Sequence, residues 1–381
     1  MPGIVLTSSI FPPDIGGPAT YVPNIAQALY EEGWQVSVFT LSNDCNADDS
    51  HRPYTVVREP RDVPPLARRL RSIRKITELA QHADLIYANG IVLESAIAAK
   101  FSKKPMLQKF VGDVVWEEAH RNGQTSFSLD EFMASRMSLK LEAKKSIRNW
   151  WLRQGTNVVV PSQYLANLLI SFCGVPQDRI RVIYNGVSMP KTHTKHALPN
   201  PSNLKIVTSS RLVRHKCVDG ILRACGMFAN TELTIIGDGP ERENLEAVAS
   251  QSPIRVTFTG QLPRDAALDI MSQHDVFVLN SVYEGLPHVA IEAMSLGLPV
   301  IGSAAGGTPE VVHDGLNGFL VPCHDDAAIF NALRSLSSNP ELYVQCVRHA
   351  HATAERFTDE NMLRQTTALL NAIATRVALS K

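Results

Sequence analysis

Short runs of aliphatic and β-branched residues alternate with stretches of helical period along almost the whole chain. "GIVLTSS" is followed by "ATYVPNIAQALYEEG", where apolar residues recur every three or four positions, and then by "QVSVFT". "DLIYA", "PMLQKF" and "NVVVPS" come next, each set apart by a segment long enough for a helix. Continuous apolar runs suit strands buried on both faces, and the helical segments between them suit crossovers. The pattern predicts a parallel sheet covered by helices. Pro23 falls inside the first helical pattern, where it is either tolerated near the start or kinks the helix.

Periodicity stops over residues 185–203, "NGVSMPKTHTKHALPNPSN", where Pro, Asn, His and Lys take over. That composition reads as an interdomain linker. The alternation then resumes through "LKIVTSS", "ELTIIG", "RVTFTG", "DVFVLN", "PVIGS" and "GFLV". The expected organisation is α/β: an N-terminal Rossmann-like domain over 1–185, a linker over 186–203 and a second doubly wound domain over 204–357. The last stretch, about 358–381, is helical, with Thr358 as a plausible N-cap. Ligands of such sheets bind beyond the carboxyl ends of the strands. Two facing sheets would therefore form a deep interdomain cleft, suited to a sizeable substrate.

Composition narrows the class. At 381 residues the chain suits two domains of ordinary size. With 44% hydrophobic and 19% charged residues it reads as globular, and a formal net charge of zero gives no argument for nucleic acid. Six cysteines without a C-x-x-C pair fit reduced thiols in the cytoplasm better than a disulfide or zinc framework. No signal peptide or membrane-spanning run is expected. Two basic stretches, "REPRDVPPLARRLRSIRK" and "KLEAKKSIRNWWLR", leave two readings open. They are ordinary solvated helix faces, the commoner case, or amphipathic surfaces touching a membrane or an anionic acceptor at the inner membrane face.

The chemistry gathers in the loops expected after the strands. "FPPDIGGPATY" carries Gly16 and Gly17 ahead of a helix, where free amides and the helix dipole would favour a phosphate; a tight turn that needs glycine is the alternative. The spacing is not G-x-G-x-x-G and no P-loop lysine follows. "TSSRLVRHK" brings Arg211 and Lys216 to a strand end, a guanidinium and an ammonium suited to a pyrophosphate. "IIGDGPE" turns at Gly237, and "FTGQLP" turns before Gln261 and Leu262. In "NSVYEGLPHVAIEAMSLGLPV", Pro287 is a good first helical residue, so Glu284 sits in the loop. Glu292 then lies roughly 8 Å up the helix. Free amides at Gly285, Leu286 and His288 lie between the two carboxylates, with His288, Glu292 and Ser295 forming a polar stripe. Carboxylates that accept from hydroxyls and amides that donate to oxygens suit a polyhydroxylated, diphosphorylated ligand.

The E-x₇-E segment "YEGLPHVAIEAMSLGLPV" resembles the retaining glycosyltransferases of family four, which have the GT-B fold. "SRLVRHK", "IIGDGPE", "FTGQLP" and "AAGGTPEVVHDGLNGFLV" resemble the same family's C-terminal domain in the same order. "YNGV" and "GGPATYV" resemble its linker approach and its N-terminal glycine loop. The resemblance implies that Arg211 and Lys216 hold the donor diphosphate, Glu292 the ribose, and Glu284 the donor sugar. The backbone of Gly285, Leu286, Pro287 and His288 also meets that sugar, with the base near Gln261 and Leu262. Gly16 and Gly17 would close over the phosphate side, and the final helix would pack back on the first domain.

The sequence departs from the family twice. Lys216 precedes Cys217 where glycine is usual. "KFVGDVVWEEA" has Gly112 and Asp113 where many members carry a histidine, which leaves Asp113 as the acceptor-side polar residue or a helix cap.

The resemblance implies transfer of a hexose-type sugar from a nucleoside-diphosphate sugar to an acceptor hydroxyl of unknown identity. No carboxylate stands out as a nucleophile, which favours a front-face reaction in which the stabilised leaving phosphate takes the acceptor proton. No cofactor and no required metal are expected, since there is no D-x-D pair and the two basic residues can carry the diphosphate charge. The rivals are a sugar-nucleotide epimerase or phosphorylase on the same fold, or a non-catalytic nucleotide-sugar-binding protein.

Overall fold

The structure, a computed structural model, describes residues 1–379 apart from residues 15, 190–197, 201–202 and 229–230. Most of the expected linker therefore lies outside the described residues. The chain forms two compact units. The first comprises Met1–Pro161, Leu165–Ile183 and Met362–Lys381; the second comprises Ser162–Tyr164 and Tyr184–Asn361.

The first unit carries a seven-stranded sheet of β1 (Gly3–Ser8), β2 (Gln35–Ser42), β3 (Thr55–Pro60), β4 (Leu85–Ala88), β5 (Met106–Lys109), β6 (Asn157–Val160) and β7 (Ile180–Val182). Every pairing is parallel, in the order β3-β2-β1-β4-β5-β6-β7. β1 is buried along its whole length, as its unbroken apolar run requires of a central strand. β3 and β7 are not among the strands that the pattern suggests. β3, "TVVREP", places Arg58 and Glu59 in an edge strand, and β7 is only three residues long.

The first helix, Gly17–Glu31, runs through Pro23 without ending there. It buries Val22, Ile25, Ala26 and Leu29 against the sheet. The same cluster takes Met362, Leu370 and Ile373 from the C-terminal helix Asp359–Leu379. Trp34 Nε1 donates to Asn371 Oδ1 at 3.0 Å, and Asn371 Nδ2 donates to Glu32 Oε2 at 2.8 Å. Thr358 Oγ1 accepts from Asn361 N at 3.2 Å, the cap that its position at the helix start calls for.

The second unit carries β8 (Leu204–Ser209), β9 (Thr231–Ile236), β10 (Arg255–Gly260), β11 (Val276–Leu279), β12 (Val300–Ser303) and β13 (Gly318–Val321), all parallel. Their order is β10-β9-β8-β11-β12-β13, so the winding reverses between β8 and β11. Side chains alternate between two apolar clusters along these strands. Ile206, Val276, Val278 and Ile301 join one cluster, while Val207, Phe277, Leu279 and Val300 join the other. Both faces are covered, and each such aliphatic or aromatic side chain contributes about 1.5–3 kcal/mol by leaving water. This core holds the loops at the carboxyl edge, where a doubly wound sheet binds its ligand at the reversal of strand order.

Candidate functional site

The loops after β8 and β11 leave the sheet on either side of that reversal. A short 3₁₀ turn, Arg214–Lys216, ends the first loop, and Val282 N donates to His215 O at 2.9 Å to join the two. Lys216 Nζ donates to Glu284 Oε1 at 2.5 Å, and Ser281 Oγ donates to the same oxygen at 2.7 Å. Both partners are mostly shielded, with side chains 18% and 13% exposed. Arg211, by contrast, is exposed and pairs with no carboxylate among the described residues.

Cys217 explains the tight exit from Lys216. It takes φ 45°, a left-handed conformation that glycine adopts without strain and cysteine does not. Its backbone carbonyl accepts from Asn280 Nδ2 at 3.1 Å, which fixes the turn against the end of β11. Burial pushes its thiol up to about 12.

A third loop supports the Glu284 loop from below. Gly307 N donates to Glu284 O at 2.8 Å, and side chains at Gly306 or Gly307 would collide with the backbone of Glu284 and Gly285. These two glycines, after β12, are a supporting feature that only the fold makes visible. Gly237 has a similar packing reason: at φ 129° it lets the backbone pass against the Ser210 carbonyl. Ser210 Oγ, Asn280 Oδ1, Thr308 Oγ1 and Asn185 Oδ1 are buried around these loops with no hydrogen-bond partner among the described residues. An unmade buried hydrogen bond costs about 1–3 kcal/mol.

Helix His288–Ser295 follows, one residue later than Pro287 suggests, with Pro287 as its N-cap. Two expectations need correction here. The His288 amide is not free, because it donates to Leu286 O at 3.0 Å within the loop. Ser295 is buried and donates its hydroxyl to Glu292 O at 2.6 Å, so it faces inward rather than completing a polar stripe. His288 itself is exposed, and its Nε2 accepts from Asn185 Nδ2 at 2.9 Å. Glu292 is held by a residue that no sequence signal indicated: Arg264 Nε donates to Glu292 Oε1 at 2.5 Å. Gln261 is exposed and Leu262 half-buried, immediately after Gly260 at φ 73°.

In the first unit, Gly16 caps the first helix at φ 149°, where a side chain would strike Ile10. Gly17 is the first helical residue and needs no positive φ, but a side chain there would face open space. Asp113 takes the cap reading. It is fully buried and accepts from Val115 N and Trp116 N, each at 2.9 Å. Its other carboxylate oxygen pairs with Arg148, which is equally buried. A carboxylate engaged in this way is not placed to take a proton from an acceptor hydroxyl.

That pair also revises the second basic stretch. Arg148 points inward, and Lys145 is buried with its ammonium donating to Phe132 O and Ser135 O. In helix Pro65–Gln81 the basic residues Arg69, Arg71, Arg74 and Lys75 pair with Glu94, Glu59 and Glu78, while Leu66 and Leu70 remain exposed. Among the described residues no helix is long and apolar enough to cross a membrane.

Residues 190–353 match the family Glycosyl transferases group 1, and residues 15–189 match Glycosyltransferase Family 4. The chain is 37% identical over 139 residues to LpsD, a lipopolysaccharide core biosynthesis glycosyltransferase of Rhizobium meliloti, covering 36% of this chain and 40% of LpsD. LpsD and two further curated relatives are matched over only 40–53% of their own length. A sucrose-phosphate synthase from Thermosynechococcus elongatus superposes with a TM-score of 0.78 at 22% identity, covering 99% of this chain and all of that one. HepE of Anabaena, solved with UDP and glucose, superposes with a TM-score of 0.76 at 21% identity, covering 97% and 99%. The two family matches meet at residues 189 and 190 and take in every loop described above, and the two sheets are those of GT-B proteins: the chain belongs to the family-four, group-1 glycosyltransferases.

Proposed function

We propose that the chain is a retaining glycosyltransferase that moves a hexose-type sugar from a nucleoside-diphosphate sugar to an acceptor hydroxyl without a required metal. The observation that carries this reading is the contact between Lys216 and Glu284 at the reversal of strand order. It sets a cation beside a carboxylate on two loops at the ligand-binding edge of a doubly wound sheet, which supports a diphosphate as the partner of the one and sugar hydroxyls as partners of the other. Arg211 is exposed five residues earlier on the same loop, ready to meet the diphosphate with its planar fork.

In this reading the departing phosphate oxygen is stabilised by Arg211 and Lys216 and takes the acceptor proton as the sugar centre is attacked on the same face. Glu284 and the amides of Gly285 and Leu286 orient the sugar, and Glu292 accepts from the ribose. The base lies along Gln261 and Leu262. HepE is described in complex with UDP and glucose, which supports a nucleotide-sugar donor. LpsD is described as acting in lipopolysaccharide core biosynthesis, which supports a glycan acceptor.

The test is a panel of nucleotide sugars incubated with purified protein, scored for binding and for slow release of the nucleoside diphosphate. One donor should release its diphosphate, and Arg211→Ala or Lys216→Ala should largely abolish the release. Full activity in both variants overturns the assignment. Dependence on inorganic phosphate would point to a phosphorylase, and binding without turnover of any acceptor to a non-catalytic protein.

A further inference from the structure

Arg264 opens the helix Arg264–Met271, three residues beyond Gln261, and its guanidinium reaches two places at once. Nε donates to Glu292 Oε1 at 2.5 Å, and Nη2 donates to the Ser188 carbonyl at 2.9 Å. Glu292 is only 18% exposed at its side chain, whereas Arg264 is 42% exposed. The pair therefore joins a shielded carboxylate to a partly solvated guanidinium. One Glu292 oxygen is clamped, while Oε2 accepts from no protein donor among the described residues. Ser188 is itself tied down, since its hydroxyl donates to Asp359 Oδ2 at 2.5 Å and Val187 bridges to Thr358.

A free glutamate side chain samples several rotamers, and ordering it on binding lowers affinity. A planar guanidinium anchored at its far end removes that freedom beforehand and aims the remaining oxygen. Position adds to this argument. Arg264 follows directly on the loop assigned to the base, and Glu292 is the carboxylate assigned to the sugar attached to that base.

We propose that Arg264 is a positioning residue that holds Glu292 in the orientation needed to accept from the ribose hydroxyls, so that selection of ribo- over 2′-deoxyribonucleoside diphosphates depends on it. The inference rests on the nucleotide-sugar reading given above. A pair that served stability alone would change the melting temperature and leave this selection untouched.

The experiment is calorimetric binding of UDP, GDP and ADP and of their 2′-deoxy forms to the full chain. The proteins compared are the wild type, Arg264→Gln, Arg264→Lys and Glu292→Gln. The wild type should prefer one ribonucleoside diphosphate over its 2′-deoxy form. Arg264→Gln should weaken the ribo form about tenfold, the worth of one charge-assisted hydrogen bond, and leave the 2′-deoxy form unchanged. Arg264→Lys should restore part of the preference, and Glu292→Gln should remove it. In turnover with the matching sugar donor, Arg264→Gln should raise KM with little change in kcat. An unchanged ribo to 2′-deoxy ratio in Arg264→Gln or in Glu292→Gln, with or without a lower melting temperature, overturns the inference while sparing the nucleotide-sugar reading. Failure of the wild type to bind any nucleoside diphosphate overturns both.

Discussion

Lys216 Nζ sits 2.5 Å from Glu284 Oε1, although 68 residues separate them in the chain. The two are brought together because β8 and β11 are neighbours in the sheet while their crossovers run in opposite directions. In the proposed reading, the ammonium meets the donor diphosphate and the carboxylate meets the sugar hydroxyls. Lys216→Met should therefore lower kcat by about 10²–10³-fold, the usual effect of removing one group that stabilises developing charge. Glu284→Gln should raise the donor KM more than it lowers kcat. Steady-state kinetics on both variants, with circular dichroism to confirm folding, checks this. A Lys216→Met enzyme within threefold of wild type would remove Lys216 from the mechanism.

Asp113 and Arg148 form a buried ion pair whose members are 0% and 1% exposed. Removing one partner of such a pair leaves an uncompensated buried charge and costs about 3–5 kcal/mol. Asp113→Ala also removes the cap of helix Val114–Arg121, worth about 1 kcal/mol more. The expected outcome is a large drop in the urea midpoint, with donor hydrolysis retained by whatever fraction remains folded. A stable Asp113→Ala protein that has lost turnover would return Asp113 to a catalytic role.

Much of the architecture was legible because buried parallel strands announce themselves as unbroken apolar runs. β1, β8 and β11 could be placed from "GIVLTSS", "LKIVTSS" and "DVFVLN" alone. β3 was not, because Arg58 and Glu59 interrupt its pattern, and each is satisfied by a partner outside the strand, Arg58 by Asp49 and the Pro12 carbonyl and Glu59 by Arg71. The candidate site divides in the same way. Glu284 and Glu292 stand out by their spacing, but what fixes them does not. Arg264 reaches Glu292 across 28 residues, and no periodicity records that. Arg148 looked like part of a basic surface because charge alone does not tell which face of a helix points inward.

Cys217 holds φ 45° directly after Lys216, so its backbone strain bears on where the ammonium points. Cys217→Gly relieves about 1 kcal/mol of left-handed strain but gives up packing at a buried position and adds freedom to the unfolded chain. These effects nearly offset, so the variant should stay within about 1 kcal/mol of wild type and keep its activity. Cys217→Val puts a β-branched residue in the same conformation, where it is a severe outlier. It should lose more stability than the glycine variant and also lose turnover as the Lys216 turn shifts. Comparison of melting temperatures and kcat for the two variants decides the point. Equal behaviour would show that the turn does not constrain Lys216.

His274, just ahead of β11, is 9% exposed and uses both ring nitrogens. Nδ1 lies 2.7 Å from Ile270 O, and Nε2 lies 2.8 Å from Thr234 Oγ1. A carbonyl only accepts, so Nδ1 carries the hydrogen, and Nε2 accepts from the threonine hydroxyl as a neutral imidazole. Burial holds its pKa below the ordinary histidine value, outweighing the upward pull of the bond to Ile270. In the unfolded chain the ring takes a proton near pH 6.5, while in the folded chain it resists. The unfolded state therefore binds more protons as pH falls, and the stability contributed by His274 is present above about pH 6.5 and lost below it. Urea midpoints measured between pH 7.5 and 5.5 should fall for the wild type. In His274→Gln, which does not titrate in this range, they should start lower and fall less steeply. Parallel slopes in the two proteins would place the pH dependence on other groups.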